Sequence, residues 1–96
     1  MFKELDPLLH SQLRLSVMSL LVAAREAEFT YLKEKTGATA GNLSVQLTKL
    51  SEAGYISITK EFKDNYPLTK CSITPKGLEA FETYVENLKG YLKPKK

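Results

Sequence analysis

Leucines recur at helical spacing in the middle of the chain. Leu43, Leu47 and Leu50 fall at i, i+4 and i+7, so they share one face of a predicted helix and form a buried stripe. The opposite face carries Gly41, Ser44, Val45, Thr48 and Glu52, with Asn42 and Lys49 on its flanks. The N-terminal part of that face is small and uncharged. The pattern predicts a helix with one side packed in a core and one side presented outward.

Capping residues set the limits of this helix and of a shorter one before it. Thr30 can cap a first helix that continues through Thr36, and Gly37 supplies the left-handed residue that ends it. Thr39 can cap the second helix, which Gly54 closes. The pattern predicts two short helices joined by a tight turn, the outline of a helix-turn-helix. Its small, hydrogen-bonding face suits a DNA major groove, and an ordinary amphipathic helix with a solvated face is the alternative.

Two runs of β-branched and aromatic residues follow, separated by turn-forming residues. The first run begins at Tyr55, the second ends at Thr74, and Asp64-Asn65 forms the turn between them, with Pro67 kept at an edge. The apolar positions are Tyr55, Ile56, Ile58 and Phe62 in the first run and Leu68, Cys71 and Ile73 in the second. The pattern predicts a β-hairpin directly after the helix-turn-helix.

This order of elements resembles the MarR-like and ArsR-like winged-helix transcription regulators, particularly the short, single-domain members. The resemblance extends over nearly the whole chain and rests on Leu13-Arg14-Leu15, Gly41-Asn42-Leu43-Ser44, Lys49-Leu50, Glu52-Ala53-Gly54-Tyr55-Ile56 and Ile73-Thr74-Pro75-Lys76-Gly77. It implies an α+β, mostly α fold, with a winged helix-turn-helix, a two-stranded wing and a long C-terminal dimerisation helix. Residues 1–96 then form a single winged-helix DNA-binding domain.

Two positions depart from the pattern of the family. Similar proteins often place arginines at the tip of the wing, whereas this tip reads Lys63-Asp64-Asn65-Tyr66-Pro67. A basic or histidine side chain is also common in the recognition helix at the position of Gln46. The arginine contact and the base preference of relatives are therefore not carried over to this chain.

Length and charge fit one small domain that binds DNA as a pair. The 96 residues can form one modest core, and the shares of hydrophobic and charged residues, 43% and 26%, exclude a disordered or membrane-embedded chain. The net charge is +3, but between Lys33 and Lys76 seven lysines stand against only four acidic residues. Because each neutralised phosphate adds to affinity, one mildly basic copy should bind DNA weakly, and two copies are needed on one duplex.

The two ends of the chain carry more apolar surface than one monomer requires, so a homodimer is expected. Asp6-Pro7 and Ser11 predict an N-terminal helix over residues 6–25, and Thr74-Pro75 predicts a C-terminal helix over residues 75–92. A heptad-like spacing connects Leu78, Phe81, Val85, Leu88 and Leu92. The expected dimer interface comprises Leu13, Met18, Phe81, Val85, Leu88 and Leu92. The alternative is a long helix that folds back on its own monomer.

Catalytic chemistry finds little support in the residues. His10 is the only histidine and has no cysteine or paired carboxylate at ligand spacing, so we expect no enzyme, no metal site and no cofactor. Cys71 is the only cysteine and is expected to point into the core, with a redox or metal sensor as the alternative.

The apolar run over residues 17–24 is far shorter than the ~20 residues that span a bilayer. We therefore expect a cytoplasmic protein that does not engage a membrane.

These features predict a sequence-specific DNA-binding transcription regulator that acts as a homodimer on double-stranded DNA. The recognition helix, residues 39–53, is expected in the major groove, and the wing, residues 60–70, on the backbone. Base-edge contacts are assigned to Asn42, Ser44, Val45 and Thr48, and phosphate or sugar contacts to Thr39, Lys49, Lys60, Lys63, Asn65, Tyr66 and Lys70. A winged-helix protein interaction module without specific DNA binding is the alternative. The residues identify no small-molecule effector.

Overall fold

A computed structural model describes residues 2–93, which form four α-helices and one three-stranded antiparallel sheet. In chain order the elements are α1 (Gln12–Ala24), β1 (Glu26–Glu28), α2 (Phe29–Thr36), α3 (Ala40–Glu52), β2 (Ile56–Lys63), β3 (Tyr66–Ile73) and α4 (Pro75–Leu92). The sheet has the strand order β1-β3-β2. The expected α+β, mostly α winged-helix fold is therefore confirmed.

The helix-turn-helix consists of α2 and α3, and its second cap is the predicted one. Thr39 is extended, and its hydroxyl oxygen accepts a hydrogen bond of 3.2 Å from the backbone N–H of Asn42. Gly37 ends α2 in the left-handed conformation with φ 74°, a backbone that residues with a Cβ rarely adopt. The prediction of Thr30 as the first cap is wrong, because α2 begins at Phe29 directly after β1, with Glu28 as its N-cap.

The wing is the hairpin of β2 and β3. Asp64 and Asn65 form its two-residue turn, and both have positive φ, 52° and 66°, the signature of a type I′ turn. Pro67 lies in the central strand rather than an edge strand. It is tolerated because β1 pairs only with residues 70–72, which leaves β3 unpaired on its outer side at Pro67.

The third strand, β1, was not predicted from the sequence. Its three residues pair antiparallel with the base of β3, where Ala27 lies opposite Cys71 and Glu28 lies opposite Lys70. Acidic residues are poor strand formers, so nothing local marks this segment as a strand. The sheet at the base of the two-stranded wing therefore has one strand more than expected.

The N-terminal helix is shorter than the predicted span of residues 6–25. Residues 6–10 form a turn, in which Oδ1 of Asp6 accepts a 2.9 Å hydrogen bond from the N–H of Leu8 and the Asp6 carbonyl accepts one from His10. Ser11 then adopts an extended conformation, and α1 begins at Gln12. We call residues 6–10 the N-terminal turn. It anchors the fully buried Leu9 in the core.

The core lies between the helices and one face of the sheet. Its buried side chains are Leu9, Val17, Met18, Leu21, Leu32, Leu43, Leu47, Leu50, Ile56, Cys71 and Tyr84. The predicted leucine stripe of α3 is confirmed. The placement of Met18 at a dimer interface is wrong, because its side chain is 0% exposed within the monomer. None of the helices described within residues 2–93 is long and apolar enough to cross a membrane.

The C-terminal helix has the predicted bounds, since α4 covers Pro75–Leu92. The hydroxyl oxygen of Thr74 accepts a 2.9 Å hydrogen bond from the N–H of Gly77, and the same hydroxyl donates a 2.6 Å bond to the carbonyl of Gly54. A Cβ placed on Gly77 would lie 2.0 Å from the carbonyl oxygen of Tyr55. The start of α4 is thus held directly against the junction between α3 and β2.

Candidate nucleic-acid interface

The outward face of α3 is open to solvent along its whole length. The residues assigned to base contact, Asn42, Ser44, Val45 and Thr48, are all exposed, as are Thr39 and Lys49. Val45 is an exposed apolar side chain, with 52% of its surface accessible. Thr48 donates its hydroxyl hydrogen to the carbonyl of Ser44 at 3.0 Å, which leaves its oxygen free to accept. The face therefore offers small polar groups and one apolar group, with a cation only toward its C-terminal half.

A chain of hydrogen bonds links this face to the N-terminal helix. Arg14 of α1 donates through Nε to the carbonyl of Leu8 at 2.6 Å and through Nη1 to Oε1 of Gln46. Gln46 in turn donates through Nε2 to Oδ1 of Asn42 at 3.1 Å. The sequence marked Gln46 only as a departure from the family and gave Arg14 no role. No local signal reveals this contact, because Arg14 and Gln46 lie 32 positions apart.

The tip of the wing combines lysines with two strongly exposed aromatic rings. Lys60, Lys63, Asn65 and Tyr66 are exposed, as the assignment to backbone contact requires. Tyr66 is 75% exposed, and Phe62, which was assigned no site role, is 79% exposed. Phe62 lies opposite Pro67 and Lys63 lies opposite Tyr66, so the two aromatic rings occupy opposite faces of the hairpin. The tip is therefore apolar as well as basic.

Lys70 differs from the other lysines assigned to DNA. Its Nζ lies 3.3 Å from a carboxylate oxygen of Glu61. The hydrogen bond and the charge of Glu61, followed by the charges of Glu26 and Glu28 of β1, raise the pKa of Lys70. Its charge is already balanced by its neighbours, so a phosphate would have to compete with them. The structure thus sets Lys70 apart from the basic tip of the wing.

The surface expected to form a dimer is only partly covered by the monomer. Leu13, Phe81 and Leu88 are partly buried against the core. Val85 is partly exposed and is not among the residues that pack on the core, and Leu92 is 71% exposed. The end of α4 also contacts the N-terminal segment, since the hydroxyl of Tyr91 donates to the carbonyl of Lys3 at 2.6 Å. Part of this helix therefore folds back on its own chain, while Val85 and Leu92 face outward.

Cys71 has the buried surroundings that the sequence analysis favoured, whereas His10 lies at the surface. Cys71 is 0% exposed in the middle of the sheet, and burial raises the pKa of its thiol to about 11. A thiol in that state is protonated and unreactive at neutral pH. His10 is exposed, and its Nδ1 lies 2.9 Å from the hydroxyl of Tyr84. The expectation that Cys71 points into the core is confirmed.

The family that matches this chain has the same architecture. The winged helix DNA-binding domain family matches residues 13–92. An uncharacterized protein of Methanocaldococcus jannaschii is 38% identical over 76 residues, which cover 79% of this chain and 83% of that protein. The family match, over residues 13–92, spans both the helix-turn-helix and the wing.

Solved structures share the fold. A transcriptional regulator homologue from Pyrococcus horikoshii OT3 superposes with a TM-score of 0.83 at 28% identity, over 88% of this chain and 84% of that one. A MarR-family transcriptional regulator from Silicibacter pomeroyi gives a TM-score of 0.68 at 18% identity, over 86% of this chain and 55% of that one, a likeness of fold alone. With the family match, these likenesses confirm the expected resemblance to MarR-like regulators. The chain therefore belongs to the winged helix DNA-binding domain family and has the fold of the MarR-family transcription regulators.

Proposed function

We propose that this protein is a homodimeric transcription regulator that binds specific sequences of double-stranded DNA. The observation that carries the proposal is the open, largely uncharged face of α3, followed in the chain by a wing with exposed lysines at its tip. Residues 39–53 would lie in the major groove and residues 60–70 along the neighbouring backbone. Such a division gives sequence readout to the helix and positioning to the wing.

Within the major groove, four side chains offer readout. Ser44 and Thr48 present hydroxyl groups that suit several base edges, and Asn42 presents a carboxamide. Val45, being apolar and exposed, suits the methyl group of thymine. The cap residue Thr39 and the cation Lys49 flank this set and would contact phosphates.

The wing would hold the flanking backbone through Lys60, Lys63, Asn65 and Tyr66. We leave Lys70 out of this set, because its ammonium group pairs with Glu61. Two lysines at the tip supply modest electrostatic attraction, and affinity that rests on few phosphate contacts gains from a second subunit on the same duplex.

The homodimer would form through α4 and the start of α1. Val85 and Leu92 face outward on α4, next to the partly buried Phe81, Leu88 and Leu13. Pairing two such surfaces would remove the exposed apolar stripe from water. A two-fold dimer places its two α3 helices on half-sites about one helical turn apart, so the operator would have two-fold symmetry. We place this function in the cytoplasm and assign it no effector.

An electrophoretic mobility shift assay against the DNA upstream of the protein's own gene tests the proposal. We expect a discrete complex that withstands a large excess of random duplex, and weaker binding when the salt concentration is raised fourfold. A duplex of scrambled sequence and equal length is the control. Equal affinity for the upstream and scrambled duplexes would contradict sequence-specific binding.

The second candidate function is a protein interaction module. The observation that favours it is the pair of aromatic rings at the tip of the wing, where Phe62 and Tyr66 are each at least three-quarters exposed. A module of this kind would bind neither duplex in the assay above. It would also lose its partner when Phe62 is replaced, whereas loss of Asn42 would have no effect on that partner.

A further inference from the structure

The hydrogen bonds from Arg14 to Asn42 have a fixed direction. Arg14 carries only donors, so the side-chain atom of Gln46 that meets it must be the acceptor Oε1. The other end of the same carboxamide, Nε2, is then left to donate, and it reaches Asn42 at 3.1 Å. Asn42 must therefore receive this bond on Oδ1. The chemistry of arginine alone settles the orientation of both carboxamides.

Arg14 and Asn42 are themselves held in place. The guanidinium of Arg14 is fixed by a second bond of 2.6 Å from Nε to the carbonyl of Leu8, in the N-terminal turn. The backbone N–H of Asn42 is fixed by the Thr39 cap at 3.2 Å. The side chain of Asn42 can thus turn over only if Gln46 turns with it, and Gln46 cannot turn without placing a donor against a donor.

This arrangement leaves the amino group as the less engaged end of the Asn42 carboxamide. Within residues 2–93, the structure gives Nδ2 of Asn42 no hydrogen-bond acceptor, and the residue is exposed. Both hydrogens of Nδ2 are therefore unused, whereas one of the two lone pairs of Oδ1 already accepts from Gln46. In the major groove guanine presents two acceptors, N7 and O6, whereas cytosine presents a donor at N4. Adenine presents one of each and thymine a single acceptor, O4. The usual pairing of asparagine with adenine uses Oδ1 as an acceptor, where the amino group of adenine would compete with Gln46, so guanine matches the two unused hydrogens best.

We propose that Arg14 acts through Gln46 as a positioning residue for base recognition, fixing Asn42 as a hydrogen-bond donor that selects guanine. The inference rests on the proposed DNA-binding function and deepens it. Arg14 itself need not touch DNA. It sets the specificity of the exposed face of α3 from its position on α1, through Gln46.

The sharpest test replaces Gln46, the middle residue of this chain of hydrogen bonds, so that the bond to Asn42 runs in the opposite direction. In Gln46→Glu, one carboxylate oxygen still accepts from Arg14, with added charge, but the other cannot donate to Asn42. The Asn42 carboxamide then turns so that Nδ2 meets the carboxylate and Oδ1 faces outward. An outward acceptor suits the N4 amino group of cytosine. The base preference should therefore invert, while the contact between α1 and α3 is kept.

The experiment begins with selection of a binding site by the wild-type protein from duplexes of random sequence. The position read by Asn42 is the one at which Asn42→Ala loses its preference. Dissociation constants are then measured with all four base pairs at that position. We expect the wild type to favour guanine over cytosine by about tenfold and Gln46→Glu to favour cytosine by a similar factor.

Lys49→Gln is the matched control, because it changes the net charge by the same amount on the same helix. It should weaken binding to every duplex alike and keep the preference for guanine. Arg14→Met is the second variant, in which Gln46 is released and the ratio between guanine and cytosine should fall toward one. A merely structural role of Arg14 would instead lower affinity for all four duplexes with their ratio unchanged.

The outcomes separate the two proposals. A wild-type protein that selects a site, together with a Gln46→Glu protein that folds and still prefers guanine, would overturn the positioning role and leave the proposed function standing. A wild-type protein that prefers no base at any position of the duplex would overturn both the positioning role and the proposed function. If Gln46→Glu proves unfolded by circular dichroism, Arg14→Met decides, since a retained tenfold preference in that variant is equally fatal to the inference.

Discussion

The hydroxyl of Tyr55 donates a 2.5 Å hydrogen bond to Oδ2 of Asp6. Tyr55 lies just beyond the C-terminal end of α3, whereas Asp6 opens the N-terminal turn. The same turn supplies the carbonyl of Leu8 that holds Arg14, which contacts Gln46 nearer the start of α3. A short segment ahead of the first helix therefore holds the recognition helix at two separated points.

This relationship predicts a specific effect of removing one hydroxyl. Tyr55→Phe should lower the free energy of unfolding by about 1 kcal/mol, the usual contribution of one such bond. Chemical denaturation at pH 7 measures the loss. Tyr31→Phe is a suitable control, because Tyr31 is exposed on α2 and the structure shows no hydrogen bond from its hydroxyl within residues 2–93. Equal stability of the wild type and Tyr55→Phe would show that water replaces the bond without loss.

The same tyrosine should make the folded protein less stable at alkaline pH. Burial, followed by the hydrogen bond to Asp6 and its charge, raises the pKa of Tyr55 to about 12. A folded-state pKa above the unfolded value means that the stabilising contribution is complete below pH 10 and is lost as the pH rises toward 12. We expect the denaturation midpoint of the wild type to fall across this window. The midpoint of Tyr55→Phe should fall less over the same range, and parallel curves would contradict the assignment.

Cys71 predicts a second loss of folding stability, in a lower pH range than that of Tyr55. Its thiol pKa is raised from 9.0 to about 11 by burial, so its contribution is present below pH 9 and is lost as the pH rises toward 11. By pH 10 the loss should be on the order of 1 kcal/mol. Cys71→Ala should lack this pH dependence, while losing ~1 kcal/mol at pH 7 through a small cavity. Rapid labelling of the native protein by a maleimide at pH 7 would contradict a buried thiol.

The proposed dimer is tested best at positions that do not contribute to the core of the monomer. Leu92 is 71% exposed and Val85 does not pack on the core, so Leu92→Asp and Val85→Asp should leave the monomer folded. Each would place a charge within the proposed interface and should shift the protein to monomers in sedimentation equilibrium. Glu82→Asp, an exposed change on the same helix that adds no charge, is the control. A wild-type protein that is monomeric at about a hundred micromolar would rule out the proposed dimer, since dimer affinities of functional interfaces are tighter.

Two substitutions in the wing, Lys63→Ala and Phe62→Ala, compare the loss of a charge with the loss of an aromatic ring. Lys63→Ala should weaken binding to all duplexes and lower the slope of log affinity against log salt by about one unit. Phe62→Ala removes no charge, so any loss of affinity should leave this slope unchanged. Because Phe62 is 79% exposed, its replacement should also leave the unfolding free energy almost unchanged. A reduced slope for Phe62→Ala would mean that the wing shifts as a whole when the ring is lost.

Local chemistry made the helices of the DNA-binding region predictable from the sequence. The Thr39 and Thr74 caps act on residues three positions away, and the leucines of α3 repeat within one helix, so their roles depend on near neighbours. Met18 shows where this reasoning stops. The apolar run in α1 surrounds much of the helix, so only the packed structure decides that Met18 faces the core and that other apolar side chains do not.

The parts that could not be predicted depend on distant partners. Strand β1 is extended because β3 pairs with it, and its own residues favour no strand. The contact between Arg14 and Gln46 likewise exists only once α1 crosses α3. Polar side chains at such crossings carry no periodic signal, although they set the geometry of the exposed face.

Gly77 fixes the distance between the first turn of α4 and the backbone of Tyr55. With no side chain there, the first turn of α4 rests on the carbonyl of Tyr55, and even a single methyl group would push the two apart. In a two-fold assembly through α4, the gap between the two recognition helices equals twice the offset from helix to symmetry axis. A displacement at Gly77 would thus be doubled at the DNA. In such a dimer, the length of operator that the protein accepts would therefore be set, in part, by the absence of one carbon atom at Gly77.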